Sequence, residues 1–578
     1  MKKTLVAFLI GAALPAAATT LEPLERDASA RIVGGEPANT KNWKFIASLV
    51  KKGYPASEGH FCGGSFLGGK YVLTAAHCVD ETNADSIDIV LGLYDQKKES
   101  QAQRIAVKNI YQHAGYNPEI MSNDIAVIEL ERSVDNATIE LADSRVIENM
   151  RAGDKVYVAG WGDTLDESVQ SPNILREVDV QYVDRAACQN LGGAYAKISV
   201  DAICAGYSDG GKDSCHGDSG GPLIANDNGM SKLLGVVSWG SGCAKANAYG
   251  VYANVAHFQT NGWIESHLNT ISYTQYRDLG LIKTKARQDT FTIRNDEAIA
   301  PLNITEITLP EGVSVTQNTC TQTLAPSQSC ELTINYTPDS SQSSQTIEFT
   351  TDHSKLPKFT TTLKYIAIDK ASAAVSSAVP IKGTEVFTSG KAWTEKNGEL
   401  QSSNAWESNG KSILYITDLP KGTLQLEYKA LRANSNAFMV QINDDWYLLE
   451  ERADFEQISI KLEKPSNSLQ FVYVRDDTPD ENSSSTIIAS FEQAYIRNIK
   501  MLDSTDTSNN SDNNTNNDGN TDNDNNTDNT ITDNITSANN SADKRKRSGG
   551  SFSIGLLVLL GAGLFTRRKR WSLHETCA

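Results

Sequence analysis

The chain has 578 residues and a formal net charge of -18, with 53 Lys and Arg against 71 Asp and Glu. That length exceeds what one hydrophobic core organises and predicts roughly three or four domains. The acidic balance excludes a nucleic-acid-binding surface of the usual basic kind, because phosphates attract cations.

The N-terminus reads Met1-Lys2-Lys3, an apolar run from Leu5 to Leu14, then "PAAATT". A charged start, a short apolar core and an A-x-A site predict a signal peptide over 1–18, cleaved after Ala18, and hence export. Nine cysteines agree with export, since Cys62, Cys78, Cys188, Cys204, Cys215, Cys243, Cys320 and Cys330 form an even set for an oxidising compartment. The ninth, Cys577, follows a second apolar segment and falls on the reducing side of it. No C-x-x-C pair has metal spacing, which argues against a zinc site, and the sequence calls for no cofactor.

From Ile32 to about Thr270, short β-branched runs such as "YVLTAAH", "KVYVAGWG" and "LLGVVSWG" alternate with Gly, Asn and Asp, a pattern of many short strands and turns. One helical pattern closes it, "VAHFQTNGWIESHL", with Val255, Phe258, Ile264 and Leu268 near helical spacing. Residues 287–370 carry alternating Thr-, Ser- and Ile-rich runs that read as a β-sandwich stapled by Cys320 and Cys330, and 371–502 read as a second sandwich. Residues 503–548 are dominated by Asn, Asp, Thr and Ser; such a segment lacks core-forming residues and reads as a disordered linker.

The apolar run Phe552 to Phe565, followed by Arg567-Arg568-Lys569-Arg570, reads as a short membrane segment over 552–566 with a stop-transfer end. The tail 571–578 follows it. The whole is an all-β protein with a C-terminal apolar helix.

"GDSGG", residues 217–221, matches G-x-S-x-G, which serves both the nucleophile elbow of α/β-hydrolases and unrelated serine hydrolases. Chain order separates them. Upstream lie "LTAAHCV", holding His77, and "SNDIAVIEL", holding Asp124, in an all-β context without alternating βα units. The order His77, Asp124, Ser219 is that of the chymotrypsin arrangement and the reverse of the elbow's Ser, acid, His.

Residues 32–272 thus resemble a trypsin-like member of the chymotrypsin family of serine proteases. "IVGG", "TAAHC", "NDIAVIEL", "GDSGGP" and "SWGSGC" occur in family order, a joint match that chance does not supply. The resemblance implies a double β-barrel, and a catalytic triad in which Ser219 attacks the scissile carbonyl, His77 acts as base and then acid, and Asp124 orients the imidazole. It implies an oxyanion hole from the N–H groups of Gly217 and Ser219. It further implies Asp213 as the acidic floor of a pocket for substrate Arg or Lys, with Ser238, Gly240 and Gly250 in the substrate-binding walls.

In "SARIVGG", cleavage after Arg31 would remove a propeptide, 19–31, and free the amino group of Ile32 to pair with Asp218. The family disulfides would be Cys62 with Cys78, Cys188 with Cys204, and Cys215 with Cys243. Arg176 stands where some members have a further cysteine, His216 replaces the usual glutamine, and Leu93 replaces the first acidic ligand of a calcium loop.

The sandwich at 287–370 resembles immunoglobulin-like repeats of bacterial secreted proteins. The segment 549–570 resembles a GlyGly-CTERM sorting signal, which implies rhombosortase and type II secretion as partners and a cell-surface or extracellular product. The combination resembles the Ves-type secreted proteases of Vibrio and relatives. A different class of function, a non-catalytic protease-like adhesion or binding protein working through its sandwiches, is the alternative.

Overall fold

The computed structural model describes residues 34–162, 172–215, 217–339, 343–404, 411–430, 437–443, 445–474 and 493–502. The signal peptide and propeptide, Arg31, Ile32, His216, the linker 503–548 and the tail from 549 onward lie outside the described residues.

Runs of β-branched residues broken by turns yield two barrels. Strands Ile46–Lys51, His60–Gly68, Tyr71–Thr74, Ala126–Leu130, Gln103–Gln112 and Ile87–Leu91 close the first in that spatial order. Ile46–Lys51, Tyr71–Thr74 and Ala126–Leu130 are buried along their whole length, as a small closed barrel with a packed interior and covered exterior requires. Strands Lys155–Gly160, Arg176–Val183, Ala202–Ala205, Gly250–Asn254, Met230–Trp239 and Pro222–Asp227 close the second, the last pairing back onto the first. Val156, Val158, Val178, Val180, Leu223 and Leu234 fill it. The expected closing helix is two short ones, Val255–Thr260 and Trp263–Ser266, because the chain breaks at Gly262 with φ of +81°.

The chain then enters a sandwich without a free spacer. Ile271–Ser272 pairs with Arg287–Asn295 in a sheet that continues through Ser329–Tyr336 to Ser314–Asn318. Opposite it, Ile304–Thr308, Ser344–Thr351 and Lys358–Lys370 form the second layer, and Tyr276–Lys283 lies parallel to Lys358–Lys370. Strict alternation in Arg287–Asn295, Ser329–Tyr336 and Ser344–Thr351 buries one face of each. Phe291, Leu332, Ile347, Phe349 and Leu363 fill the space between the layers.

Two features join these parts. The core of the first barrel runs on into the sandwich as one cluster, crossed by rings at Tyr111, Tyr273, Phe359 and Phe349 with successive centroids 5.0, 4.2 and 4.8 Å apart. The second layer also does not end at the sandwich. Ile368–Lys370 pairs with Glu385–Ser389, and the same sheet continues through the long strands Lys411–Ala430 and Arg452–Val474. A separate core containing Trp393, Phe438, Phe471 and Tyr473 lies beneath those strands. Among the described residues no helix is long and apolar enough to cross a membrane.

Candidate active site

His77 sits in the one-turn helix Ala76–Val79 after strand Tyr71–Thr74, and Asp124 sits just before strand Ala126–Leu130 that pairs with it. Neighbouring strands thus bring together two residues far apart in sequence. The His77 N–H donates to Asp124 Oδ1 at 2.8 Å, and its ring Nδ1 meets Asp124 Oδ2 at 2.7 Å. Ser238 also donates its hydroxyl to Asp124 Oδ2. Ser238, expected to bind substrate, therefore commits its side chain to the acid and has only main chain left for a ligand.

Burial opposes protonation of His77, but the charge and hydrogen bond of Asp124 outweigh it and raise the imidazole above its ordinary value. Burial likewise pushes Asp124 up, and His77 with Ser238 holds it below the usual carboxylate range. An imidazole fixed in one tautomer beside a buried carboxylate is suited to take a proton at Nε2.

Ser219 lies on the turn between the barrels. Gly217 has φ of +99° and Gly220 of +77°, backbone that a side chain would strain. A Cβ at Gly220 would fall 2.2 Å from Thr74 Oγ1 and 3.1 Å from Cys78 Sγ, so this turn is packed directly against the His77 helix. The Cys62–Cys78 bridge braces that contact, and Gly63 N donates to Ser219 O at 2.7 Å. Among the described residues, the Ser219 hydroxyl and the N–H groups of Gly217 and Ser219 make no hydrogen bond. They are free for a ligand. Cys62, His77 and Cys78 are close enough to suggest a metal site, but both sulfurs are in the disulfide and His77 is held by Asp124, so the donors do not fit one.

Asp213 is 3% exposed, with Oδ2 accepting from Ala244 N at 3.0 Å and Oδ1 without a partner. Burial pushes its carboxyl up to about 7. A Cβ at Gly250 would come 3.0 Å from Asp213 Oδ1 and 2.8 Å from Tyr252 Oη, so only glycine leaves this floor open. At Gly240 an added Cβ would meet nothing closer than 3.7 Å, so the protein's own packing does not demand glycine there. The Cys215–Cys243 bridge ties the two sides of this region.

Asp218 faces away from Ser219. Its Oδ1 accepts from Gly162 N at 2.8 Å and its Oδ2 from Cys215 N at 2.9 Å, under a roof where a Cβ at Gly160 would fall 2.1 Å from the carboxylate. Gly34 rests against Gly211 and Lys212, which puts the start of the described chain on the same loop.

The remaining bridges are Cys188–Cys204 and Cys320–Cys330. Arg176 is buried and donates to Gly35 O at 2.9 Å, and Leu93 is buried in the first barrel's core.

One residue escaped the sequence reading. His60, in no recognisable motif, is buried between Ser48 Oγ at 2.8 Å and Gly217 O at 3.1 Å, so it fixes the peptide before Asp218. Burial holds its imidazole down at about 4, so it stays neutral there.

Residues 32–264 match the family model described as Trypsin. The chain is 37% identical over 241 residues to trypsin eta of Drosophila erecta, covering 41% of this chain and 90% of that one. The chain belongs to the trypsin family. A trypsin of Xenopus laevis is 36% identical over 247 residues, covering 42% of this chain and 91% of that one. Beyond the trypsin domain, the secreted serine protease VesC from Vibrio cholerae superposes with a TM-score of 0.58 at 28% identity, covering 81% of this chain and 99% of that one. The protein is a trypsin-like serine endopeptidase, and it resembles the Ves proteases beyond its catalytic barrels.

Proposed function

We propose that the protein is a secreted endopeptidase, made as a zymogen, that cuts after Arg or Lys. The single observation carrying the specificity is Asp213: a buried carboxylate with one oxygen unpartnered, on a floor kept open by Gly250. An isolated buried carboxylate is costly. A guanidinium or ammonium brought by substrate offsets that cost, and a neutral side chain does not.

In this reading His77 accepts the Ser219 proton, Ser219 attacks the carbonyl, and the Gly217 and Ser219 N–H groups hold the oxyanion. His77 then protonates the leaving amine, and water resolves the acyl-enzyme by the same steps. Removing one oxyanion donor in a serine protease of unrelated fold costs about 3 to 4 kcal/mol. Asp218 receives the amino group of Ile32 after cleavage at Arg31, a reading supported by its buried carboxylate and the two N–H groups, of Gly162 and Cys215, that it accepts from. Export rests on the signal-like N-terminus and on the secreted relative VesC. The 549–570 segment then serves sorting by a rhombosortase and type II secretion, leaving the enzyme at the cell surface or released.

Protein cleaved at Arg31 is expected to hydrolyse arginyl and lysyl substrates. Ser219→Ala should lower kcat by about 10⁶-fold, the loss typical of removing such a nucleophile. Asp213→Ser should lose basic substrates selectively; an unchanged preference at that position would refute the pocket assignment.

A further inference from the structure

The segment that follows His77 is held from outside the catalytic barrels. After the helix Ala76–Val79 the chain turns at Glu81, whose φ of +50° lies in the left-handed region. A non-glycine residue there is strained and persists only where its surroundings over-determine it.

The surroundings belong to the sandwich. Lys364, on strand Lys358–Lys370, pairs with the Glu81 carboxylate. Two residues on, Asn83 exchanges hydrogen bonds with the backbone of Asp278, donating from Nδ2 to its carbonyl at 3.0 Å and accepting from its N–H at 2.7 Å. The segment leading to Asp124 is gripped in the same way. Gln112 N donates to Gln275 Oε1 at 2.6 Å, and Gln275 Nε2 donates back to Gln112 O at 3.0 Å. The side chain of Gln112 then reaches Asp80 Oδ1 at 3.0 Å, joining the two gripped segments.

These contacts border an open cleft of about 420 Å³ lined by Asp80, Glu81, Gln112, Tyr116, Gln275 and Tyr276. Close packing, the usual means of fixing one element against another, is interrupted there. The shared core at Tyr111 and Tyr273 fixes the sandwich on one side of this gap, and the polar pairs hold the His77 segment on the other.

We propose that Lys364 and Gln275 of the sandwich are positioning residues for His77 and Asp124, so that the sandwich is a working part of the catalytic unit. The inference rests on the reading of His77 as the base. Lys364 holds the His77 segment in its strained turn, and Gln275 holds the Asp124 segment against it. Loss of either lets the imidazole drift from Ser219, and displacements of about 1 Å can cost 10²-fold in rate.

The test uses the full chain, cleaved at Arg31, with two readouts: the rate at which a fluorophosphonate labels Ser219, which needs no basic side chain, and kcat and KM on an arginyl peptide. Lys364→Met and Gln275→Ala are each expected to lower labelling and kcat by about tenfold with KM within about twofold. Lys364→Arg should retain activity, and the reversed pair Glu81→Lys with Lys364→Glu should recover most of what Lys364→Glu loses. Unchanged labelling and kcat in both single variants would overturn the proposal, as would a loss in KM alone or a reversed pair no better than its singles. Wild-type protein that labels normally yet ignores the arginyl peptide would refute the specificity reading only, and labelling would still decide this one.

Discussion

On the specificity proposed above, one buried residue, Asp213, would set both selectivity and pH response. Its folded carboxyl at about 7 lies above the ordinary value near 4. The folded carboxyl therefore keeps a proton that the unfolded chain has released, and this residue subtracts stability as pH rises from about 4 to about 7, with the full cost present above that. Asp213→Asn should accordingly raise the denaturation midpoint at about pH 8, and the gain should vanish near pH 4.

A bound cation reverses the preference. The affinity for a small aromatic amidine should fall about tenfold per unit as pH drops below about 7, and binding near pH 6 should release a proton, read by calorimetry in two buffers. Affinity independent of pH across that window would mean that Asp213 is not the group that meets the cation. The residues around it were legible in the sequence to very different degrees. His77, Asp124 and Ser219 each stand in a short motif whose geometry is local, whereas Ser238's bond to Asp124 and the place of His60 depend on how strands meet and leave no trace in spacing.

At the scale of the element, strand Ala126–Leu130 carries a carboxylate that "NDIAVIEL" makes look like an ordinary solvated position. Glu129 is 1% exposed and accepts from Lys70, Lys108, Asn109, Tyr111 and Ser272. Burial alone would raise it, but Lys108, Asn109, Lys70 and Tyr111 outweigh burial and hold it at about 2. The folded value lies below the unfolded one, so the stability it contributes is present above about pH 4.5 and lost as pH falls toward 2.

Glu129→Gln should cost about 3 kcal/mol in urea unfolding near pH 7, since it removes the buried charge that Lys70 and Lys108 share and leaves Lys108 without a carboxylate partner, and progressively less toward pH 2.5. A constant penalty across that range would show a packing effect instead. Its partners explain why sequence reading missed it: Ser272 is over 100 positions downstream, and Lys70 is shared with Asp296 of the sandwich at 2.7 Å. Strand existence was legible from β-branched runs; the break at Gly262 shows that apolar spacing alone overstates helix length.

For the molecule as a whole, the shared core predicts shared melting. Phe359 stacks on Phe349 and meets Tyr273, which in turn meets Tyr111 of the first barrel. Phe359→Ala should cost about 3 to 5 kcal/mol, and the temperature at which peptidase activity is lost should fall with it. The region built on Trp393, Phe438 and Phe471 has its own core and should give a second calorimetric transition that this substitution leaves in place. Activity that survives while the sandwich melts would break the link. Composition separated the two sandwich-like regions by their alternating runs, but it could not reveal that one sheet passes through both.

That continuous sheet has a mechanical consequence. Bending the chain between Lys370 and Glu385 would mean breaking the ladder from Ile368–Lys370 to Phe387–Ser389, and the next strand, Lys411–Ala430, carries the sheet on for 20 residues with register shifts near Asp418 and Gly422. The region built on Trp393, Phe438 and Phe471 is thereby tied to the sandwich by backbone hydrogen bonds and cannot swing freely on the connection it follows.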